Sequence, residues 1–187
     1  MSQIGFYFDQ TRCIGCYACA VACKDWHNID AGPVRLLKVK VIEKGVFPEP
    51  FVAYLVTACY HCVNPPCVRA CPAHAITKTD SNGIVRVDRE KCKGNIECNS
   101  LCLKACPWKA PQFGLETNAR MQKCDLCAER LEKGQQPVCV EACPGYAMDA
   151  GPVEELKAKY RADLTAEGFV YSERFKPSIA FRPKRQE

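Results

Sequence analysis

The sequence predicts an α+β fold of short strands and short helices, in one or two small domains held by inorganic crosslinks as much as by an apolar core. Three observations carry that expectation. Sixteen of the 187 residues are cysteine, a share typical of crosslinked scaffolds. Hydrophobic residues make up 48% of the chain, and setting the cysteines aside leaves about 40%, below the usual apolar share of a globular domain. Thirteen prolines and eleven glycines break the chain into short elements.

The cysteines fall into four groups of four. Cys13, Cys16, Cys19 and Cys23 are spaced C-x2-C-x2-C-x3-C; Cys59, Cys62, Cys67 and Cys71 are spaced C-x2-C-x4-C-x3-C. Cys92, Cys98, Cys102 and Cys106 follow C-x5-C-x3-C-x3-C, and Cys124, Cys127, Cys139 and Cys143 follow C-x2-C-x11-C-x3-C. Each group ends in C-x3-C, an internal repeat. Proline follows the last three groups as Pro72, Pro107 and Pro144, whereas Lys24 follows the first.

Between the groups, short elements can be placed in order. Ile4 to Phe8 reads as an edge strand. Val34 to Gly45 and Phe51 to Ala58 read as two strands joined by a Pro-rich turn. Ala75 to Thr79 and Ile84 to Asp88 flank Asp80-Ser81-Asn82-Gly83, a hairpin signal with Asn-Gly where positive φ is needed. Short helices are expected where each C-x3-C begins and over Ala128 to Lys133. A further helix is expected from Pro152 to about Leu164, with Pro152 in its first turn and Glu154 and Glu155 complementing its dipole. The C-terminal segment from Tyr171 to Glu187 reads as an extended arm that docks on a partner.

The first thirteen residues lack a charged region, an apolar run and a twin arginine, so no signal peptide is expected. The protein is then cytoplasmic, or exported folded with a partner that carries the signal. Without secretion, sixteen cysteines argue for metal-bound thiolates over disulfides. Sixteen thiolates holding four cubane cores of charge +2 would turn the formal +5 into about −3, which removes the basic character that would attract nucleic acid. The longest apolar stretch, near Phe51 to Cys59, is far short of the roughly 20 residues needed to cross a bilayer, so no direct membrane insertion is expected.

A [4Fe-4S] cube offers four irons, each needing one thiolate, and C-x2-C-x2-C-x3-C-P is the bacterial run that supplies them, its fourth cysteine ligating the other cluster in two-cluster proteins. Sixteen thiolates therefore match four [4Fe-4S] clusters with none left over. Structural zinc is the alternative, but zinc modules use two separated C-x2-C pairs. His27, His61 and His74 read as surface or supporting residues because the cysteine count is already closed. Trp26 and Trp108 read as apolar cover over a cluster. Lys24, Arg69, Lys93, Lys104 and Lys123 stand beside candidate ligands, either as solvated charges or as groups that raise cluster potentials. No dinucleotide, phosphate-loop or nucleophile-elbow motif is present, and no catalytic residue is expected.

The segments CIGCYACAVACKDWHN, CYHCVNPPCVRACPAHAI, CLKACPWKAPQF and KCDLCAERLEKGQQPVCVEACPGYAMDAGP, within about Tyr7 to Leu156, resemble the four-cluster electron-transfer (beta) subunits of the dimethyl sulfoxide reductase family of molybdopterin oxidoreductases. They are similar also to polyferredoxin subunits of tungsten aldehyde oxidoreductases. The loop from Cys92 to Cys102 departs from that pattern by four extra residues. Four groups can be paired in three ways; the single hairpin between Cys71 and Cys92 favours joining the second and third groups, while the short stretch between Cys106 and Cys124 weakens that argument.

The resemblance implies nested pairing: cluster one on Cys13, Cys16, Cys19 and Cys143; cluster two on Cys124, Cys127, Cys139 and Cys23; cluster three on Cys59, Cys62, Cys67 and Cys106; cluster four on Cys92, Cys98, Cys102 and Cys71. It implies two ferredoxin-like lobes, the first from residues 1–33 and 115–150 and the second from 59–114, with a strand-rich insertion over 34–58 and a C-terminal helix and arm over 151–187. It also implies an electron relay between a large molybdenum or tungsten pterin catalytic subunit, at the end holding Cys13 to Cys19, and a quinone-linked membrane anchor or a soluble ferredoxin. A stand-alone polyferredoxin, a hydrogenase-linked carrier and a zinc-built interaction module are the alternatives.

Overall fold

The computed structural model describes residues 2–186 and shows a mixed α/β chain whose regular elements are all short. β1 (Ile4–Asp9) lies between β6 (Met148–Pro152), antiparallel, and β7 (Ile179–Arg182), parallel. β2 (Lys38–Lys44) and β3 (Phe51–Thr57) form a hairpin, and β4 (Ile76–Lys78) and β5 (Val85–Val87) form a second, shorter one. In that second turn Gly83 takes φ +72° and the Asn82 carboxamide oxygen accepts from the Ile84 N–H at 3.1 Å, so the Asn-Gly signal is used as expected.

Helices do begin at the C-x3-C pairs: α1 (Ala18–Trp26), α2 (Pro66–Ala70), α3 (Leu101–Ala105) and α5 (Val138–Glu141), with α4 (Ala128–Glu132) between the last two. Their lengths follow from the residue after the final cysteine. Proline disfavours the helical region for the residue before it; accordingly Cys71 and Cys106 are extended, with ψ of 110° and 115°, and α2 and α3 stop at five residues. Lys24 stands where the other groups have proline, and α1 runs on to nine residues. α6 (Val153–Tyr160) ends at Arg161, which adopts a left-handed conformation, so it stops short of Leu164.

Two expectations fail. β1 is the central strand of its sheet, not an edge, because both neighbours arrive from the far end of the sequence: β6 from the short Met148–Pro152 run, which carries no strand pattern of its own, and β7 from the supposed arm. The tail is not an extended arm. Ile179, Ala180 and Phe181 are buried, and Phe181 packs against Phe169 with ring centroids 4.8 Å apart. Four apolar or small residues in a row outweigh the flanking prolines once a buried partner strand is available.

Buried side chains form two cores. The larger joins Phe6, Phe8, Leu36, Leu37, Leu55, Tyr60, Met148 and Phe181; the smaller joins Cys67, Ile76, Val85, Cys102 and Met121. The tail reaches across to the second cysteine group. Ser178 donates its N–H to Tyr60 O at 2.8 Å and its hydroxyl to His61 O at 2.9 Å, while Lys176 O accepts from Val63 N–H at 2.9 Å. The C-terminal segment therefore holds the loop of that group against the sheet. No helix among the described residues is long and apolar enough to cross a membrane.

Candidate metal centres

Each C-x-x-C loop curls so that backbone and side chains close around sulfur. In the first, Gly15 has φ +69° and a Cβ there would fall 2.3 Å from the Tyr54 ring, so only glycine lets this loop lie against the β2–β3 hairpin. Backbone N–H groups reach sulfur at other sites: Ala147 N–H to Cys143 Sγ at 3.3 Å, Leu126 to Cys124 at 3.4 Å and Met121 to Cys92 at 3.4 Å. Such donors favour the thiolate.

Burial raises many of the thiols, and other cysteines add to the shift. Burial pushes the Cys13 thiol up, and Cys143 and Cys16 add to it; burial lifts Cys19 to about 11, with Cys13, Cys143 and Cys16 adding. Cys23 is raised to about 12 by burial and then by Cys127, while burial raises Cys124 and Cys139, with Cys23 as the leading charge on each. Burial raises Cys62, with Cys59 and Cys106 as its nearest charges, and lifts Cys67 to about 12, with Cys59 first among its charges. Cys102 is lifted to about 12 by burial, with Cys98, Cys92 and Cys71 adding. Two small cavities are lined by cysteines, one by Cys13, Cys16, Cys19 and Cys143 and the other by Cys71, Cys92, Cys98 and Cys102.

Spacing of donors decides between iron-sulfur and zinc. Four thiolates on one zinc stand roughly 3.8 Å apart, given Zn–S of about 2.3 Å. Among the described residues, the three donors lying within 4.8 Å of one another are His27, Asp125 and Cys127, and no cysteine triad comes that close. Thiols set wider than one ion allows, two groupings of them lining a cavity, fit a cube with an iron at each corner better than single zinc ions.

Burial also varies along the sets. All of Cys23, Cys124, Cys127 and Cys139, and all of Cys59, Cys62, Cys67 and Cys106, are buried; Cys13, Cys71, Cys92, Cys98 and Cys143 are half-buried and Cys16 is exposed. The stretched loop beyond Cys92 turns outward at Ile96 and Glu97. Asn118 clamps it, accepting from Ile96 N–H at 3.0 Å and donating to Lys93 O at 2.8 Å. Nothing in the sequence signalled Asn118, which lies 22 residues from its partner.

The histidines differ from one another. His74 is exposed, and His27 is half-buried with Nε2 3.7 Å from both Cys127 Sγ and Asp125 Oδ1. His61 is not a surface residue: it is fully buried, its Nδ1 accepts from Val85 N–H at 3.0 Å, and burial together with Lys123 and Lys78 holds it neutral, well below the usual imidazole range. Trp108 covers Tyr60 edge-on at 5.5 Å, whereas Trp26 lies under the Arg130 guanidinium at 4.7 Å. Of the five basic residues beside ligands, Lys123 alone is buried; Arg69, Lys93 and Lys104 are exposed and Lys24 is half-exposed.

Comparison with known proteins agrees with this donor chemistry. A 4Fe-4S dicluster domain matches residues 50–153 and a 4Fe-4S binding domain matches residues 6–25. One component of the anaerobic dimethyl sulfoxide reductase of Escherichia coli is 38% identical over 97% of this sequence and 89% of its own length. The protein belongs to the iron-sulfur electron-transfer subunits of the dimethyl sulfoxide reductase family. The corresponding component from Haemophilus influenzae is 34% identical over 99% of this sequence and 91% of its own, and a sulfite dehydrogenase component from Allochromatium vinosum is 33% identical over 83% and 71%. This electron-transfer subunit carries four [4Fe-4S] clusters and is not itself catalytic. Bound clusters supply one-electron storage; the protein supplies ligands, spacing, burial and N–H donors that set each potential.

Proposed function

We propose that the subunit is a linear relay with a buried middle and two open ends, joining a molybdenum or tungsten pterin catalytic subunit to a membrane anchor or a soluble carrier. The observation that carries this is the burial pattern: eight cysteines in two sets are wholly buried, and the six accessible ones divide between the other two. The ligand sets are nested: Cys143 with Cys13, Cys16 and Cys19; Cys23 with Cys124, Cys127 and Cys139; Cys106 with Cys59, Cys62 and Cys67; Cys71 with Cys92, Cys98 and Cys102; the cavities lined by the first and last of these sets support the pairing. Influence across the sets supports an order. Cys19 acts on Cys23 and Cys139, Cys59 on Cys124, and Cys102 on Cys67, so the sets run one, two, three, four. Two ferredoxin-like lobes, each holding a pair of clusters, would meet at the third set, whose Cys59 packs in the larger core and Cys67 in the smaller.

The catalytic subunit docks at the first set. Cys16 is exposed there, beside Ile14 and Tyr17, with Tyr146 79% exposed and Val21 66% exposed nearby in sequence; large exposed apolar side chains around a cofactor mark an interaction surface. Substituting Tyr146→Glu with Val21→Glu should lower co-purification of the pterin subunit while leaving iron content unchanged. Undiminished association would overturn this placement.

A further inference from the structure

The structure assigns Lys123 as a buried counter-charge at the joint between the two inner clusters, holding the potentials of both above the values that the cysteines alone would set. It rests on the ligand sets proposed above. Lys123 is 4% exposed, and its ammonium donates to Val85 O and, at 2.9 Å, to Cys124 O. Those two carbonyls belong to different cores, Val85 to the smaller and Cys124 to the larger, so the ammonium sits on the seam. Among the described residues no carboxylate lies within ion-pair distance of it.

A buried cation needs a counter-charge, and two carbonyl dipoles solvate it without neutralising it. The negative groups available at the seam are the thiolate sets on either side. Cys124 of the second set follows Lys123 directly and offers it a carbonyl, while Val85, its other acceptor, packs in the smaller core with Cys67 of the third set. His61, beside Cys62, accepts from the N–H of the same Val85 and stays neutral, so it adds no competing charge. Each electron added to either inner cluster makes it more negative, and a fixed positive charge in a poorly screened interior favours that state. The exposed basic residues beside other ligands are screened by water and have no such leverage.

The test uses the purified complex under anaerobic conditions, with potentiometric titration of each cluster followed by electron paramagnetic resonance. In Lys123→Met the two inner midpoints should fall, by about tenfold in the equilibrium constant for reduction or about 59 mV for a one-electron couple, while the outer two stay in place. Lys123→Arg should keep the inner midpoints near the native values. If Lys123→Met does not retain its clusters, Lys123→Gln removes the charge while keeping a donor for one carbonyl, and the same shift is expected. Four unchanged midpoints, or an equal shift at all four, would overturn the assignment. The native complex reports separately on the ligand sets, since single Cys→Ser variants assign each signal to its set.

Discussion

Phe181→Ala tests whether the tail is part of the fold or an arm for a partner. Phe181 is 0% exposed, packs on Phe169, pairs in register with Phe8, and exchanges backbone hydrogen bonds with Asp163 at 2.7 and 2.8 Å. Truncating a buried phenylalanine costs about 3–5 kcal/mol, a large fraction of the roughly 5–15 kcal/mol that holds a domain together. For a protein of this length each kcal/mol lowers the midpoint by about 2–4 °C, so the fall should be about 6–20 °C. The assay is thermal bleaching of the visible iron-sulfur absorbance in the anaerobic holoprotein. Deleting Phe175–Glu187 should be more severe, because it also removes the acceptors for Val63 and Asn64 beside Cys62 and Cys67. A native bleaching midpoint combined with weakened partner binding would restore the arm and refute the strand.

Two further outcomes follow from the thiols. Burial holds Cys23, Cys67 and Cys102 near 12 and Cys19 near 11, so these groups are protonated when free and must release protons to bind iron. Protons therefore compete with iron, and retention against a ferrous chelator should strengthen as pH rises from about 6 to about 9, with the fold lost together with the metal as pH falls; pH-independent retention, or a sharp thermal transition in the bleached protein, would count against this. Cys98→Ser should remove or alter one paramagnetic signal alone, because Cys98 stands with Cys92 and Cys71 around Cys102; four unaltered signals would show that the stretched loop supplies no ligand through Cys98.

Much of the site was legible because the chemistry is written locally. Cysteine spacing, a proline after three of the four groups and Asn82-Gly83 each act within a few residues, and the structure places helices and the short hairpin where they point. Long-range features were not legible. β6 is Met-Asp-Ala-Gly-Pro, a run with little strand character, and it pairs because the buried central strand β1 offers it a backbone partner. Tail residues Ile179 to Phe181 sit between Lys176-Pro177 and Pro183-Lys184, so local polarity concealed three buried positions. Lys123 looked like four other basic residues beside ligands; only its burial separates it from them.

The position of that lysine is a consequence of how the polypeptide returns. The segment from Gln112 to Cys124 carries Met121 into the smaller core and Cys124 into the larger one, so Gln122 and Lys123 between them must cross the seam. An apolar side chain there would fill the gap but leave the Val85 and Cys124 carbonyls without this donor, and a shorter polar one would not reach both. A lysine spans the distance with its aliphatic stem and brings its charge to the seam, which the proposed order puts between the two inner sets. In the proposed relay, the same crossing between the two cores would deliver a fixed positive charge to the middle, where burial would otherwise make each added electron most costly.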